Sequence, residues 1–249
     1  SGNGNAGKSC PSTTGPTTAA GKFGKAGDFD GSDDYVSLPS SNSLVQNVST
    51  ITMATWVKLD VLDTWHSILT FSVNGSTSTR ASLELNGSAQ VVSGGRAPDS
   101  DSLQTETSTT AISTGTWYHL ATIIDYANDN VRIFINGVED STTGTPAFTN
   151  TSTDNTTSTT AVIGVDENLT APFFNGIIDE TRLYNRALTP SEVRQLADWT
   201  PGPVGWWKLD ENTNNTCSGG ANDACDSSGN GNDGSNAASS KWTTGKMGS

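Results

Sequence analysis

Short segments in which apolar and polar residues alternate dominate the middle of the chain, as is typical of strands with one buried face. Clear examples are 51–57, 119–124 and 131–136. Asn136-Gly137 closes the last of these, and this pair suits the left-handed backbone of a two-residue hairpin. The same pattern predicts further strands at 34–38, 67–73, 81–86, 160–165 and 176–184. Strands at this spacing, with no alternating helices, predict a sandwich or jelly roll.

One short helix is predicted over 190–198. Thr189-Pro190-Ser191-Glu192 is a capping box with proline at the first helical position, and apolar residues follow at Val193, Leu196 and Ala197. Pro201-Gly202-Pro203 then predicts a boundary. Upstream of the helix, 13 of the 20 residues in 141–160 are Ser or Thr, and we expect an exposed loop that is open to O-glycosylation.

Composition narrows the function classes. The 249 residues carry a net charge of −13, which opposes binding to nucleic-acid phosphates. No apolar run is long enough for a membrane span. Ser and Thr make up 67 residues, and three cysteines accompany this hydroxyl-rich surface. We therefore expect an extracellular protein, secreted or at the cell surface.

The two ends of the chain share a repeat. Residues 1–7 and 228–234 differ only at Ala6 and Asp233, and 21–25 matches 245–249 in the same order. Segments rich in Gly, Asn and Ser inflate such coincidences, so shared composition alone is the alternative. The first copy leads into a domain, whereas the second copy runs into the C-terminus.

Five stretches, in order, resemble motifs of the laminin-G-like, concanavalin A-type jelly rolls. They are 24–36 (opening strand), 51–58 (T-x-x-x-W-V-K), 116–121 (W-x-H-x-A), 131–138 (hairpin) and 174–188 (closing strand and turn into the final helix). The resemblance covers roughly residues 21–198. It implies an all-β, concanavalin A-like jelly-roll sandwich with one short C-terminal helix and a strand-bearing C-terminal extension.

A departure from this family lies at the N-terminus. Domains of the family begin with a strand of the type G-x-W-x-F-D-E and an acidic loop, but here the matching segments are 204–211 and 226–234. We expect residues 1–200 to form a jelly roll that lacks its first strand. Residues 201–249 would then be a tail that carries the first strand and the start of the next repeat.

This tail has three possible roles. It folds back into its own domain, it inserts into a neighbouring molecule by strand addition, or the chain is one segment of a tandem-repeat adhesin. We favour insertion, which builds a head-to-tail homopolymer or filament. The donor strand would use Val204, Trp206, Trp207 and Leu209. The alternative function is a lectin-like module that binds glycans.

Calcium is the one cofactor that the resemblance implies. Asp28, Asp30, Asp33 and Asp34 crowd one turn, and hard cations prefer carboxylate and carbonyl oxygens. The family pattern places Ca²⁺ at the sandwich edge, with Asp179 meeting the Asp30-Gly31 turn. The alternative is that these residues cap and solvate a tight turn.

Enzyme activity is not expected. Laminarinase-type hydrolases of this fold carry an E-x-D-x-(x)-E string, which this sequence lacks. Asp179 and Glu180 are adjacent, so in a regular strand they would point to opposite faces and would not act on one sugar. A hydrolase therefore ranks below both the filament subunit and the lectin-like module.

Several further sites follow from single residues. Cys217 and Cys225 enclose seven residues and can close a small disulfide loop, which leaves Cys10 free or paired between molecules. Trp65, in a polar turn, is the best candidate for a sugar or partner contact, whereas Trp56 and Trp117 are expected in the core. Sequons for N-glycosylation occur at Asn47, Asn74, Asn86, Asn150, Asn155, Asn168 and Asn214.

Overall fold

The structure is a computed structural model, and it describes residues 8–10, 15–62, 64–73, 78–98, 101–142, 144–155, 160–170 and 172–198. The chain divides into two units, Ser1–Trp199 and Thr200–Ser249, and every described residue belongs to the first. Several predicted sites lie outside the described residues: the donor strand at 204–209, the Cys217–Cys225 disulfide, and the sequons at Asn74 and Asn214.

Strands account for about half of the described residues. They are β1 Lys8–Cys10, β2 Thr17–Ala20, β3 Lys25–Asp30, β4 Tyr35–Ser37, β5 Thr50–Leu59, β6 His66–Val73, β7 Ser78–Leu85, β8 Gln90–Gly95, β9 Gln104–Ala111, β10 Trp117–Asp125, β11 Asn130–Ile135, β12 Val138–Glu139, β13 Thr160–Ile163 and β14 Asn175–Tyr184. A 3₁₀ helix spans Pro39–Val45, and α1 spans Pro190–Ala197. No helix in the described ranges is long and apolar enough to cross a bilayer.

The strands form two antiparallel sheets that face each other. The first sheet has the order β1-β4-β13-β6-β7-β8-β9, and the second has the order β12-β11-β10-β5-β14-β3-β2. Apolar side chains from both sheets fill the space between them, among them Phe29, Met53, Leu83, Ile133 and Phe174. This arrangement confirms the predicted all-β jelly-roll sandwich.

Each strand predicted from alternation is present. The β11–β12 hairpin turns on Asn136 and Gly137, whose φ angles of 51° and 78° are those of a two-residue turn with left-handed backbone. The alternation pattern did not reveal β8 and β9, because hydroxyl-bearing side chains occupy inward positions there. Ser108, for example, is fully buried in β9, where its hydroxyl accepts a hydrogen bond from the Val91 N–H.

The predicted helix is present as α1, and both hydrogen bonds of its capping box form at Thr189 and Glu192. The helix covers the outer face of the second sheet, where Leu188 and Val193 pack against Ala54, Ala121, Ile123 and Phe134. Its C-terminal end lies at the β11–β12 turn, since a Cβ at Gly137 would come within 3.1 Å of the Ala197 Cβ.

The Ser/Thr-rich segment after β12 is less exposed than predicted. Phe148 and Thr153 are buried, and the Phe148 ring packs on Tyr126 with a centroid distance of 4.8 Å. The hydroxyl of Thr153 donates to the carbonyl of Val45. These two side chains anchor the segment to the sandwich, so only part of it is exposed.

Candidate functional site

Three loops meet at one end of the sandwich and form a cleft of about 500 Å³. The β3–β4 loop contributes Ser32, the β5–β6 connection contributes Thr64 and Trp65, and the β13–β14 loop contributes Pro172 and Phe173. Asn175, at the start of β14, completes the wall. We call this the Trp65 cleft.

Trp65 is the most exposed aromatic side chain of this cleft, with 46% of its surface accessible. Most tryptophans in folded proteins bury far more of their surface, so an exposed one beside a cavity is available for contact with a ligand. Phe173 and Pro172 add apolar surface, while Ser32, Thr64 and Asn175 add hydroxyl and amide groups. Apolar walls with a few polar groups are typical of small-ligand sites.

Buried aromatic contacts hold the floor of the cleft in place. His66 is 2% exposed, and its Nδ1 lies 3.2 Å from the carbonyl oxygen of Phe173. The His66 ring packs edge-on against Phe174, and Phe174 packs in the same way against Phe29 in the core. The two loops that carry Trp65 and Phe173 are therefore joined through the core.

An acidic turn borders the cleft. The Ser32 N–H donates to Asp30 Oδ1 at 2.8 Å, and the Asp30 N–H donates to Asp34 Oδ2 at 3.0 Å. Asn175 Nδ2 donates to the carbonyl of Asp30 at 3.2 Å. Gly31 has a φ of 79°, and a Cβ there would lie 2.6 Å from Asn175 Nδ2, so only glycine fits this turn without displacing Asn175.

The acidic turn has the donor set for a hard cation. Oxygens of Asp30, Asp33 and Asp34 all lie within 4.8 Å of one another. Ligands on opposite sides of a calcium ion are about 5 Å apart, so the spacing fits. Burial raises the pKa of Asp34; the hydrogen bond from Asp30 opposes this, and the carboxylates of Asp30, Asp33 and Asp28 raise it further. A cation would relieve that repulsion.

Asp179 lies at a different turn from the one expected. Its carboxylate accepts the N–H groups of Phe23 at 2.9 Å and Glu180 at 2.8 Å. It therefore caps the turn between β2 and β3, and Asn175 is the β14 residue that meets Gly31. Asp28 lies two residues before Asp30 on β3 and outside the group of three close carboxylates.

The adjacent carboxylates Asp179 and Glu180 have separate structural partners. The pairing of β14 with β5 shifts register between Asp179 and Arg182, and Glu180 has a φ of 51° at this bulge. Glu180 pairs with Arg182 at 2.8 Å, while Asp179 accepts backbone N–H groups. The regular alternation assumed from the sequence is broken here, but the two side chains still point to different partners.

The remaining predicted sites are distributed over the surface. Asn47, Asn150, Asn155 and Asn168 are exposed, whereas the side-chain oxygen of Asn86 accepts backbone hydrogen bonds within the β7–β8 turn. Cys10 ends β1 in register with Tyr35.

Trp56 is buried, as expected, but on the outer face of the second sheet. There it contacts Phe23 and His119 at centroid distances of 6.0 and 5.4 Å, and the Lys22 ammonium lies 4.3 Å from its ring. Trp117 is half-buried. Neither tryptophan lines the Trp65 cleft.

Comparison with known proteins finds the same architecture elsewhere. The family model of the concanavalin A-like lectin/glucanases superfamily matches residues 30–194. A search of curated proteins finds no match to the sequence. Domain 4 of AbnA, a GH43 extracellular arabinanase from Geobacillus stearothermophilus solved in complex with arabinotriose, is 27% identical. It superposes with a TM-score of 0.54 over 77% of this chain and 87% of that domain.

Two more distant structures share the fold. The Ruminococcus gnavus IT-sialidase CBM40 bound to α2,3 sialyllactose is 20% identical, with a TM-score of 0.52 over 62% of this chain and 85% of that one. The Trypanosoma rangeli sialidase in complex with the inhibitor DANA is 15% identical, with a TM-score of 0.53 over 75% of this chain and 31% of that one.

Proposed function

Because the chain belongs to the concanavalin A-like lectin/glucanases superfamily, we propose that it is an extracellular carbohydrate-binding module whose binding site is the Trp65 cleft. The observation that carries the proposal is an indole that is 46% exposed at the wall of a cleft of about 500 Å³. Aromatic faces pack on the apolar faces of sugar rings, and the hydroxyl and amide groups around Trp65 suit sugar hydroxyls.

Binding rather than hydrolysis is proposed because of what lines the cleft. Glycoside hydrolysis uses a pair of carboxyl groups on either side of the scissile bond. Among the described residues that line the Trp65 cleft, none is Asp or Glu, and none is Lys or Arg. A lining without carboxylate, Lys or Arg side chains favours a neutral oligosaccharide. The similar domain of the Geobacillus arabinanase, in complex with arabinotriose, supports the same class of ligand.

Replacing Trp65 by alanine is the direct test of this proposal. We expect the affinity for the glycan to fall at least about 30-fold, as for a tryptophan that anchors an interface. A glycan array with the full chain identifies binders, and calorimetric titration with arabinotriose provides the first quantitative probe. Because Trp65 is exposed, the free energy of unfolding of the variant should lie within about 0.5 kcal/mol of the native value.

Leu62→Ala is the matched control for Trp65→Ala. Leu62 is an exposed apolar residue of the same connection, 41% accessible, and it does not line the cleft. We expect its affinity to equal that of the native chain. Equal glycan binding by native chain and Trp65→Ala would place the site elsewhere on the molecule.

We also propose that Asp30, Asp33 and Asp34 hold Ca²⁺, which would order the loop that carries Ser32 into the cleft. A ligand present at 100 times its Kd stabilises the folded state by about 2.7 kcal/mol, which raises Tm by roughly 5–11 °C in a domain of this size. Scanning calorimetry with and without Ca²⁺ measures this shift.

Asp33→Asn should abolish the calcium-dependent rise in Tm, whereas Asp60→Asn, at an exposed carboxylate beyond the end of β5, should leave it unchanged. A native chain whose Tm is the same in millimolar Ca²⁺ and in chelator would show that these carboxylates only shape the turn.

A second candidate function is head-to-tail assembly by strand donation, as the displaced family strand at 204–211 indicates. One observation favours it. β5 pairs along both halves of β14, but β3 pairs only with Asn175–Ile178 of β14. No other described strand lies beside residues 180–184 on that side. Analytical ultracentrifugation of the full chain, compared with a chain that lacks 204–249, should show concentration-dependent polymers only for the full chain.

A further inference from the structure

A second cleft opens between the two sheets at the edge formed by β2, β3 and the middle of β14. Its volume is about 520 Å³, and its apolar walls come from Phe29, Val36, Ile163 and Ile178. Phe29 and Ile178 are 3% and 5% exposed, whereas Val36 and Ile163 are half-buried. We call this the edge cleft. It extends the space between the sheets to the surface, and an apolar side chain could enter it without displacing the core.

The edge cleft lies where β3 ends its pairing with β14. Gly27, opposite Ile178, is the first β3 residue that pairs with β14. The two β3 residues before it, Lys25 and Ala26, pair with β2 alone. Thr181, in the part of β14 beyond β3, lines the edge cleft together with Ile178. A strand added beside residues 180–184 would therefore lay its inward side chains into this cleft.

Residues 204–209 have the pattern that such a strand requires. In an extended strand, Val204, Trp206 and Lys208 share one face, and Gly205, Trp207 and Leu209 share the other. A lysine is very rarely buried in an apolar space, so the face that carries Trp207 and Leu209 is the inward one. Trp207 and Leu209 supply large apolar side chains for the cleft, and Trp206 would remain on the outer face.

The length of the connection favours a second molecule as the source of the strand. Helix α1 ends beside the β11–β12 turn, about four and a half strand spacings, or roughly 21–22 Å, from the open side of β14. Six residue steps separate Asp198 from Val204. They span at most about 20–22 Å when fully extended, and about 19 Å in the polyproline conformation that Pro201 and Pro203 favour. The chain's own segment would have no slack to reach the site.

We propose that the edge cleft is the acceptor site for residues 204–209 of a second copy of this chain, with Trp207 seated between Phe29, Ile163 and Ile178. This inference rests on the proposed strand donation and adds two things: the acceptor site, and the face of the donor strand that enters it. The contact is heterologous, because donor and acceptor are different surfaces. Each added chain uses one of its two surfaces in the contact and leaves the other free for the next chain.

Two variants of the full chain test the site from opposite sides. Trp207→Ala removes the anchor, and Ile163→Trp fills the cleft from within. We expect each variant alone to need at least about a 30-fold higher concentration for half-assembly than the native chain in sedimentation. Trp206→Ala is the matched control, and it should assemble like the native chain. Circular dichroism and Tm establish that each variant is folded.

Mixing the two impaired variants gives the sharpest result. Ile163→Trp keeps an intact donor and Trp207→Ala keeps an intact acceptor, so the mixture should form dimers and stop there. A mixture of folded variants that stays monomeric would overturn the acceptor site. A different outcome is a native chain that is monomeric at every concentration and a Trp207→Ala variant whose Tm is lower than the native value. That outcome would show that the segment packs in its own domain, and it would contradict the intermolecular contact.

Failure of the wider function is separable from failure of the site. A native chain that stays monomeric at every concentration rejects strand donation as a whole. If the native chain and both variants polymerise equally well, assembly is retained as a function, but the edge cleft is not its acceptor site.

Discussion

Asp154→Ala is expected to lower the free energy of unfolding by about 3 kcal/mol, since it removes the carboxylate that neutralises a buried arginine. Arg80 is 1% exposed, and its guanidinium donates to Asp154 and to the carbonyl of Ala97. Without Asp154 the buried guanidinium loses the carboxylate to which it donates. The loss is at the lower end for a buried pair because the Asp154 side chain is itself 32% exposed.

Glu139→Ala is the matched control, because Glu139 pairs with Arg132 at the surface, where the two side chains are 44% and 28% exposed. An exposed pair contributes under about 1 kcal/mol. Urea denaturation followed by circular dichroism measures both variants. Removing both charges of this pair, in Arg80→Met with Asp154→Leu, should recover part of the stability. Equal losses for Asp154→Ala and Glu139→Ala would show that burial of Arg80 carries no energetic weight.

The second large effect is a dependence of stability on pH that Glu84 produces. Burial, followed by repulsion from the carboxylates of Glu167 and Asp166, raises the pKa of Glu84 from 4.5 to about 7. The folded state therefore holds a proton that the unfolded state releases. The stabilising contribution is complete below pH 4.5 and is lost as the pH rises through 7, with a total of about 3 kcal/mol.

Glu84→Gln isolates this contribution, since the amide stays neutral. His119 acts in the opposite direction over an overlapping range. Burial, with a smaller effect of Arg182, lowers its pKa from 6.5 to about 4, so its contribution is lost as the pH falls. The difference between the stability curves of native chain and Glu84→Gln removes the part due to His119. That difference should change by about 3 kcal/mol between pH 4.5 and pH 8. A flat difference would contradict the assignment.

The sequence predicted the sandwich well where burial follows hydrophobicity. Strands such as β5 and β10 alternate clearly, and the Asn136-Gly137 turn and the capping box of α1 depend on residues close together in the chain. β9 escaped prediction because it buries Glu106 and Ser108 through hydrogen bonds. A hydrophobicity pattern reads such positions as exposed.

The Trp65 cleft was predictable in part. A tryptophan in a polar turn marked one wall, but the opposite wall comes from residues more than 100 positions away. His66 meets Phe173 across 107 residues, and Asn175 meets Asp30 across 145. No local pattern contains those contacts, because strand order in the sheets brings the loops together.

The sequence by itself determined the fold class, the family and the helix, since each depends on residue types at short spacing. Only the tertiary structure decided which residues share a site. A bulge in β14 and the short pairing with β3 place Asp179 at the β2–β3 turn and Asn175 at the acidic turn, and they leave the edge cleft beside Ile178 and Thr181. Register between strands distant in the chain sets these positions, because shifting one strand by a residue moves every side chain to the other face.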